Sequence, residues 1–157
     1  GGRLVFPGGG VYHASKYAVE AISDALRFEV AGFGVHVVVI EPGAIRTGFA
    51  EAATSALSGA TRSGDAAYAD FNAHVGQATR DAYERGPLAR LGGDAEDVAV
   101  VVEKAIAADR PRPRYKVTPS AHLLVGQRRM LGDRLWDRFL ATQFPRPGAG
   151  GSRGPEP

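Results

Sequence analysis

The sequence predicts an α/β fold, and three observations predict it. Val19, Ile22, Leu26 and Val30 recur at helical spacing within residues 12–31. Residues 35–41, VHVVVIE, are β-branched and almost continuously apolar, as a parallel strand covered on both faces is. The rest of the chain then reads as an insertion, a helix, a strand and a helix, an order that belongs to α/β architectures.

Each element has its own signal. Residues 1–10, GGRLVFPGGG, hold one short apolar run, Leu4 to Phe6, broken by Pro7 and three glycines, and read as a loop with a brief extended piece. Helix 12–31 carries a second stripe of small residues, Ala14, Ala18, Ala21 and Ala25, so both of its faces call for cover. One face suits a sheet, and the small stripe suits a close neighbour. Gly32 and Gly34 end the helix. Strand 35–41 follows and stops at Pro42-Gly43; helix and strand together are half of a βαβ unit. Residues 44–92 lack a strong period, with Gly, Ala, Ser and Thr abundant from Ala50 to Ala67 and a helix expected over 68–84. Phe71, Val75 and Tyr83 are its weak apolar marks. A long insertion at a strand end is often a lid. Asp94 suits the N-cap of a helix over 95–108, which Pro111 and Pro113 stop. Tyr115 to Thr118 reads as a short strand closed by Pro119, and 120–141 as one last helix carrying Leu131, Leu135 and Trp136. Core packing is the default reading of those three. The Pro/Gly-rich end, 142–157, reads as a disordered tail. Two strands do not make a stable doubly wound sheet, so the remaining strands are expected upstream.

Composition bounds the function. The chain has 157 residues, one domain's worth, and 44% of them are hydrophobic. It contains no Cys, which excludes disulfides and thiolate metal sites. The four His residues are scattered and none pairs at metal-ligand spacing, so no metal is expected. His36 alternates with strand valines and reads as a core or edge residue. No apolar run approaches the ~20 residues of a membrane helix, so no membrane is expected. The net charge of +2 is small, and the basic stretch from Arg110 to Arg138 is interleaved with Asp133 and Asp137; it reads as a solvated face and not as a nucleic-acid site. The chain begins with Gly1, and its one Met is Met130. It therefore reads as a fragment or an N-terminally trimmed product.

The chemistry-bearing pair is Tyr12 and Lys16. Four residues apart on a helix, both side chains leave one face. An ammonium beside a phenol stabilises the phenolate and lowers its pKa. Such a phenol can exchange a proton with an alcohol or a carbonyl, the partner that hydride transfer needs. Spacing alone fits equally well an amphipathic helix with a surface Tyr and a surface Lys.

Context is what distinguishes the two. The segment YHASKYAVEAISDALRFEVAGFGVHVVVIEPGAIRTGF resembles the short-chain dehydrogenase/reductase family over nearly forty residues. It has the core Tyr12, Ala14, Ser15 and Lys16, then the Ala-rich helix, the turn at Gly32, and a hydrophobic strand closing in Pro42-Gly43 with Thr47 four residues on. The later stretch RYKVTPSAHLLVGQRRMLGDRLWDRF is similar, less specifically, to the C-terminal ends of retinol and 17β-hydroxysteroid dehydrogenases.

The resemblance implies the C-terminal half of a Rossmann-like doubly wound sheet, with residues 1–141 a partial domain. It implies an oxidoreductase that uses NAD or NADP and acts on a small-molecule alcohol or ketone. Tyr12 would be the general acid/base, with Lys16 lowering its pKa and binding the nicotinamide ribose. Pro42 and Gly43 would lie beside the nicotinamide, with the Ile45 backbone and the Thr47 hydroxyl holding its carboxamide. Residues 48–85 would be the substrate loop, and helix 12–31 the contact of a homo-oligomer. The family's catalytic Ser and its Gly-rich dinucleotide loop would fall upstream of Gly1, and Ser15 is not that Ser. Gly8-Gly9-Gly10 lacks the spacing of a phosphate loop. The expectation is therefore a cytoplasmic enzyme of which this part alone is inactive. A non-catalytic truncated relative serving as a dimerisation partner is the alternative.

Overall fold

A computed structural model describes residues 2–61 and 68–147. The described residues form an α/β unit, mostly helical around a two-stranded parallel sheet.

The first helix, α1, spans Gly10–Glu29, starting two residues before the expected boundary. Gly8, at φ +83, turns the chain into it, and His13 N–H already donates to Gly9 C=O at 2.8 Å. Residues Ala31–Phe33 tighten into a 3₁₀ turn, and Gly34 at φ +73 ends the run. Of the two glycines expected to stop the helix, Gly34 takes the left-handed conformation.

Strand β1 covers Val39–Glu41, shorter than the expected 35–41. Its partner β2, Arg114–Lys116, pairs parallel with it in the register Val39↔Arg114 and Glu41↔Lys116. Pairing starts where Val39 N–H donates to Pro113 C=O at 3.0 Å. Across from residues 35–38 stand Pro111 and Pro113, which have no N–H to give, so the ladder goes no further back. The second strand likewise starts one residue earlier than expected and ends at Lys116.

Between the strands run α2 (Phe49–Thr61), α3 (Ala69–Glu84), the single turn α4 (Pro87–Arg90) and α5 (Ala95–Ala107). The expected helix over 68–84 is α3. The rest of the insertion is not a loop: residues 49–61 are helical, because alanines dominate there and Ala is the strongest helix former. Part of the Ala50–Ala67 stretch, residues 62–67, lies outside the described residues. Helix α5 matches its expected start, with Asp97 closing a capping box on the Asp94 N–H at 2.8 Å.

The expected helix over 120–141 is two helices, α6 (Pro119–Met130) and α7 (Asp133–Gln143). Gly132 is extended and caps α7, and Asp133 lies in its first turn, where an acid is favourable. The break lets α7 fold back. Leu4, Val125 and Trp136 then form a core, with Phe6, Leu131 and Phe139 packed on it. Phe6 and Phe139 sit 5.9 and 5.3 Å from the Trp136 ring. The N-terminal loop is thus part of the core, and it contains no strand. Leu135, unlike Trp136, is exposed. Residues 142–143 of the expected tail belong to α7, and 148–157 lie outside the described residues.

The apolar stripe of α1 is not covered by the described residues: Val19 and Ile22 are 53% and 64% exposed. The small stripe, Ala14 to Ala25, is exposed too. Charge ties α1 to the sheet instead, through Arg114 to Glu20 at 2.8 Å and to Asp24 at 2.6 Å. Helix α5 faces β1 across an open groove of about 420 Å³ lined by His36, Val38, Ile40, Val102, Ala105 and Ile106. His36 is an exposed edge residue of that groove.

The end of β1 is fixed by two buried hydroxyls. Thr118 Oγ1 donates to Pro42 C=O at 2.8 Å, and Ser120 Oγ accepts the Ala44 N–H at 3.1 Å. Gly43 between them has φ +88, and a Cβ there would strike Thr118 Oγ1 and, at 2.8 Å, Ser120 Oγ. Gly43→Ala is therefore expected to destabilise by about 2 kcal/mol. Thr118→Val is expected to cost a similar amount, roughly 1–3 kcal/mol, by removing the hydroxyl that donates to the Pro42 carbonyl and pairs with the buried Ser120 hydroxyl, and Thr118→Ser to recover most of it. Urea unfolding followed by circular dichroism measures all three; a Gly43→Ala midpoint equal to the parent's would refute the account of this turn.

Candidate active site

The first turn of α1 carries Tyr12, and the next carries Lys16. The Lys16 ammonium lies 5.7 Å from the centre of the Tyr12 ring, over its face. Ser15 donates its hydroxyl to the Tyr12 carbonyl at 2.7 Å, a bond internal to the helix. His13 is buried; its ring makes an edge contact with the Tyr12 ring at 5.4 Å and lies 6.1 Å from the Phe6 ring.

Helix α2 brings a second aromatic residue to Tyr12. The Phe49 ring is 5.4 Å from it, and Tyr83 of α3 stands 5.3 Å beyond Phe49. The three tilted rings form a row with spacings typical of favourable aromatic pairs. Tyr12 remains 41% exposed. Its partial burial raises its pKa above the ordinary 10.0 of a phenol. This is opposite to the lowering expected from Lys16, because the ammonium sits over the ring in contact with water, where its field is screened. Tyr83 is pushed up to about 12, first by burial and then by the charge of a Tyr12 phenolate.

The loop after β1 supplies backbone groups. Pro42 C=O is held by the Thr118 N–H at 3.3 Å as well as by its hydroxyl. Ala44 C=O takes the Gly93 N–H, and Arg46 N–H donates to Gly93 C=O, both at 2.9 Å. This is a parallel bridge between Ile45 and Gly93. In such a bridge the N–H and C=O of Ile45 itself point to the opposite side. Arg46 clamps Asp94 with two bonds of 2.7 Å. The exposed Thr47 hydroxyl accepts the Phe49 N–H at 3.4 Å and starts α2.

Of the residues expected to form a site, Tyr12 and Lys16 thus share a face, and Pro42, Gly43, Ile45 and Thr47 share one fixed loop. Phe49, two residues past Thr47, joins loop and pair by its contact with Tyr12. Glu41 forms ion pairs with Arg3 at 3.5 Å and Arg114 at 3.7 Å, without a hydrogen bond. The sequence reading missed the parts of Phe49, Thr118 and Ser120 and took Tyr83 for a weak apolar mark. Thr118-Pro119 had a readable signal, a capping residue followed by Pro at the first helical position. Among the described residues, no three His, Asp or Glu stand together as metal ligands. None of the described helices is long and apolar enough to cross a membrane.

Comparison with known proteins bears on this arrangement. Residues 1–58 match the short chain dehydrogenase family. The uncharacterized oxidoreductase YbbO of Escherichia coli K12 is 34% identical over 139 residues, covering 88% of this chain and 44% of that protein. The NADPH-dependent 3-dehydrocapnine reductase of Ornithobacterium rhinotracheale is 35% identical over 139 residues, covering 88% and 46%. Retinol dehydrogenase 5 of Mus musculus is 37% identical over 152 residues, covering 93% and 46%. The chain spans somewhat less than half the length of the curated relatives it matches.

Because burial raises the Tyr12 pKa and Phe49 is one of the rings that cover it, Phe49→Ala is expected to lower it. Titration of ¹³Cζ-labelled tyrosine by NMR reads the shift directly. An unchanged or higher Tyr12 midpoint in the variant would show that the aromatic row is not its cause.

Proposed function

The chain belongs to the short-chain dehydrogenase/reductase family, and on that premise we propose that it is the C-terminal part of an oxidoreductase interconverting an alcohol and a carbonyl compound, with Tyr12 as the general acid/base. Members of the family use NAD or NADP. The observation that carries the reading is the convergence of Tyr12, Lys16 and the loop from Pro42 to Phe49 at one end of the sheet.

The residues present fit a nicotinamide nucleoside. Lys16 is exposed and makes no ion pair among the described residues, so its ammonium is available to ribose hydroxyls. Ile45 turns its N–H and C=O away from Gly93, and Thr47 exposes a hydroxyl; together they suit a carboxamide, which both donates and accepts. Pro42 and Gly43 would flank the ring at the strand's end, where open α/β sheets bind ligands. When bound, the nicotinamide supplies a hydride or takes one up.

The protein's own part is the proton. With its pKa raised by burial, Tyr12 holds its proton across the neutral range. It therefore serves as an acid, passing the proton to the carbonyl oxygen as that carbon is reduced. In the other direction the phenolate must take the alcohol proton, and that form is scarce until the pH approaches the raised value.

The remaining strands, the dinucleotide loop and the partner Ser would come from residues preceding this part. The uncovered stripe of α1 and the span of less than half of its relatives support that assignment. This part alone is then inactive. The hairpin of α2 and α3 is the substrate segment, and its aromatic row favours an apolar alcohol or ketone. The names of the relatives, a retinol dehydrogenase among them, agree with that class. The exposed face of α1 would serve as the contact of a homo-oligomer.

In the full-length protein, Tyr12→Phe keeps the ring contact and removes the proton. It is expected to lower kcat for carbonyl reduction by about 10²–10⁴-fold. In the unsubstituted protein, reduction should hold level through neutral pH and fall as Tyr12 ionises above 10, and oxidation should climb over the same range. Steady-state rates against pH in both directions test this; activity retained in Tyr12→Phe would assign the proton to another group.

A further inference from the structure

Tyr12, Lys16, Glu20 and Asp24 follow one another at four-residue steps along α1 and form one slowly winding stripe of the helix. The cation in that stripe has two neighbours to choose between. One turn back is the Tyr12 ring. One turn on is the Glu20 carboxylate, the usual ion-pair partner of a lysine at this spacing. Lys16 lies over the Tyr12 ring, 5.7 Å from its centre. Glu20 is turned to Arg114 instead. Arg114 Nε and Nη2 both donate to Glu20 Oε2, at 3.1 and 2.8 Å, and Nη2 also donates to Asp24 at 2.6 Å. The Arg114 and Glu20 side chains are 23% and 15% exposed, so water screens this contact less than it screens an open pair. The exposed Lys16 ammonium, strongly hydrated and without a planar fork, is the weaker competitor for that carboxylate.

The N-terminal loop restrains Glu20 as well. Gly2 lies so close to this turn of α1 that a Cβ on it would come within 2.6 Å of Glu20 Cγ and 2.7 Å of the Lys16 carbonyl oxygen. The next residue, Arg3, pairs with Glu41 at 3.5 Å, and Glu41 faces Arg114 at 3.7 Å. Glu20 is thus held by β2 and by the N-terminal loop together.

We infer that Arg114 is a positioning residue for the reaction: by occupying Glu20, it keeps that carboxylate from drawing the Lys16 ammonium down the helix, and so leaves Lys16 beside Tyr12. Arg114 itself touches neither substrate nor cofactor. Without its guanidinium, Lys16 and Glu20 are an ordinary pair four residues apart, and Lys16 leaves the Tyr12 ring. Asp24 does not replace Glu20 in this, since it stands two turns from Lys16 and is held by Arg27 too.

This role rests on the reading of Lys16 as the cation that meets the nicotinamide ribose, and the test keeps the two apart. In the full-length protein, Arg114→Met is compared with the double variant Arg114→Met, Glu20→Gln, by crystal structure and by calorimetric titration with NADH and NADPH. In Arg114→Met, Lys16 Nζ is expected within ion-pair distance of a Glu20 oxygen. The cofactor dissociation constant should rise about tenfold, as for the loss of one hydrogen bond from a charged group. The added Glu20→Gln removes the competing carboxylate, and should return Lys16 to the Tyr12 ring and the dissociation constant to within about twofold of the parent's. A merely structural role for Arg114 gives the reverse, a double variant at least as impaired as Arg114→Met, because the grip on α1 is then weaker still. That result, or a Lys16 that stays over Tyr12 in Arg114→Met, overturns the inference. Where Arg114→Met does not fold, Arg114→Lys keeps a cation beside Glu41 without the fork, and the same rescue by Glu20→Gln decides. Lys16→Met is the separate control: unchanged cofactor affinity in it overturns the ribose role of Lys16, and the position of Nζ in Arg114→Met then still decides on Arg114.

Discussion

The arrangement of the site depends on one buried pair of hydroxyls. Thr118 and Ser120 lie 2.8 Å apart, the latter wholly excluded from solvent. From there they reach 76 residues back along the chain to Pro42 C=O and Ala44 N–H. Buried polar groups persist when each has a partner, and here each hydroxyl serves the other as well as the loop. With Pro42 and Ala44 fixed, Ile45 can meet Gly93, Thr47 can start α2, and Phe49 reaches Tyr12. Gly43 completes the device, since only a residue without Cβ lets the two hydroxyls approach the turn.

The position of Tyr12 has a second origin, and it is electrostatic. Helix α1 buries only His13 among the described residues, so apolar packing does little to place it. Arg114 of β2 instead draws in Glu20 and Asp24, and Arg27 reinforces Asp24 from within the helix. Glu41 completes the cluster from β1, close to Arg3 and Arg114 but without a hydrogen bond. Partly buried charge of this kind is held by its partners and is weak ground for stability by itself. It fixes register: Arg114 can meet two acids one turn apart only with α1 at one height on the sheet. Lys16 and Tyr12, one and two turns before Glu20, inherit that height.

How much of this could be read in the sequence follows from the range of each interaction. Helices α1, α3 and α5, with the Asp94 cap, are set by local periodicity and capping, which a single sequence displays. The Tyr12–Lys16 pair was readable because four residues is one helical turn. Helix α2 was missed because Ala, Ser and Thr carry little hydrophobic period, although Ala favours helix. The break at Gly132 was hidden because apolar residues flank it on both sides at helical spacing. The trimming of β1 is decided by prolines seventy residues away. Phe49 and Tyr83 meet Tyr12 only through the loop geometry that Thr118 and Ser120 impose, and no spacing in the sequence encodes that meeting. The uncovered stripe of α1 was read correctly as apolar; what covers it is not among the described residues.

The electrostatics of Tyr12 tie these strands together. Two effects compete there: burial against Phe49 favours the neutral phenol, and the Lys16 ammonium favours the phenolate. Burial wins as the site stands, because Lys16 is exposed and water screens it. The balance is not fixed by the protein alone. Excluding water from the space over Lys16 takes the local dielectric from that of water toward that of a protein site, and the same two groups then interact about fourfold more strongly. Burial of the phenol grows in the same step, so the two effects rise together and the Tyr12 proton is set by how much of each the site imposes.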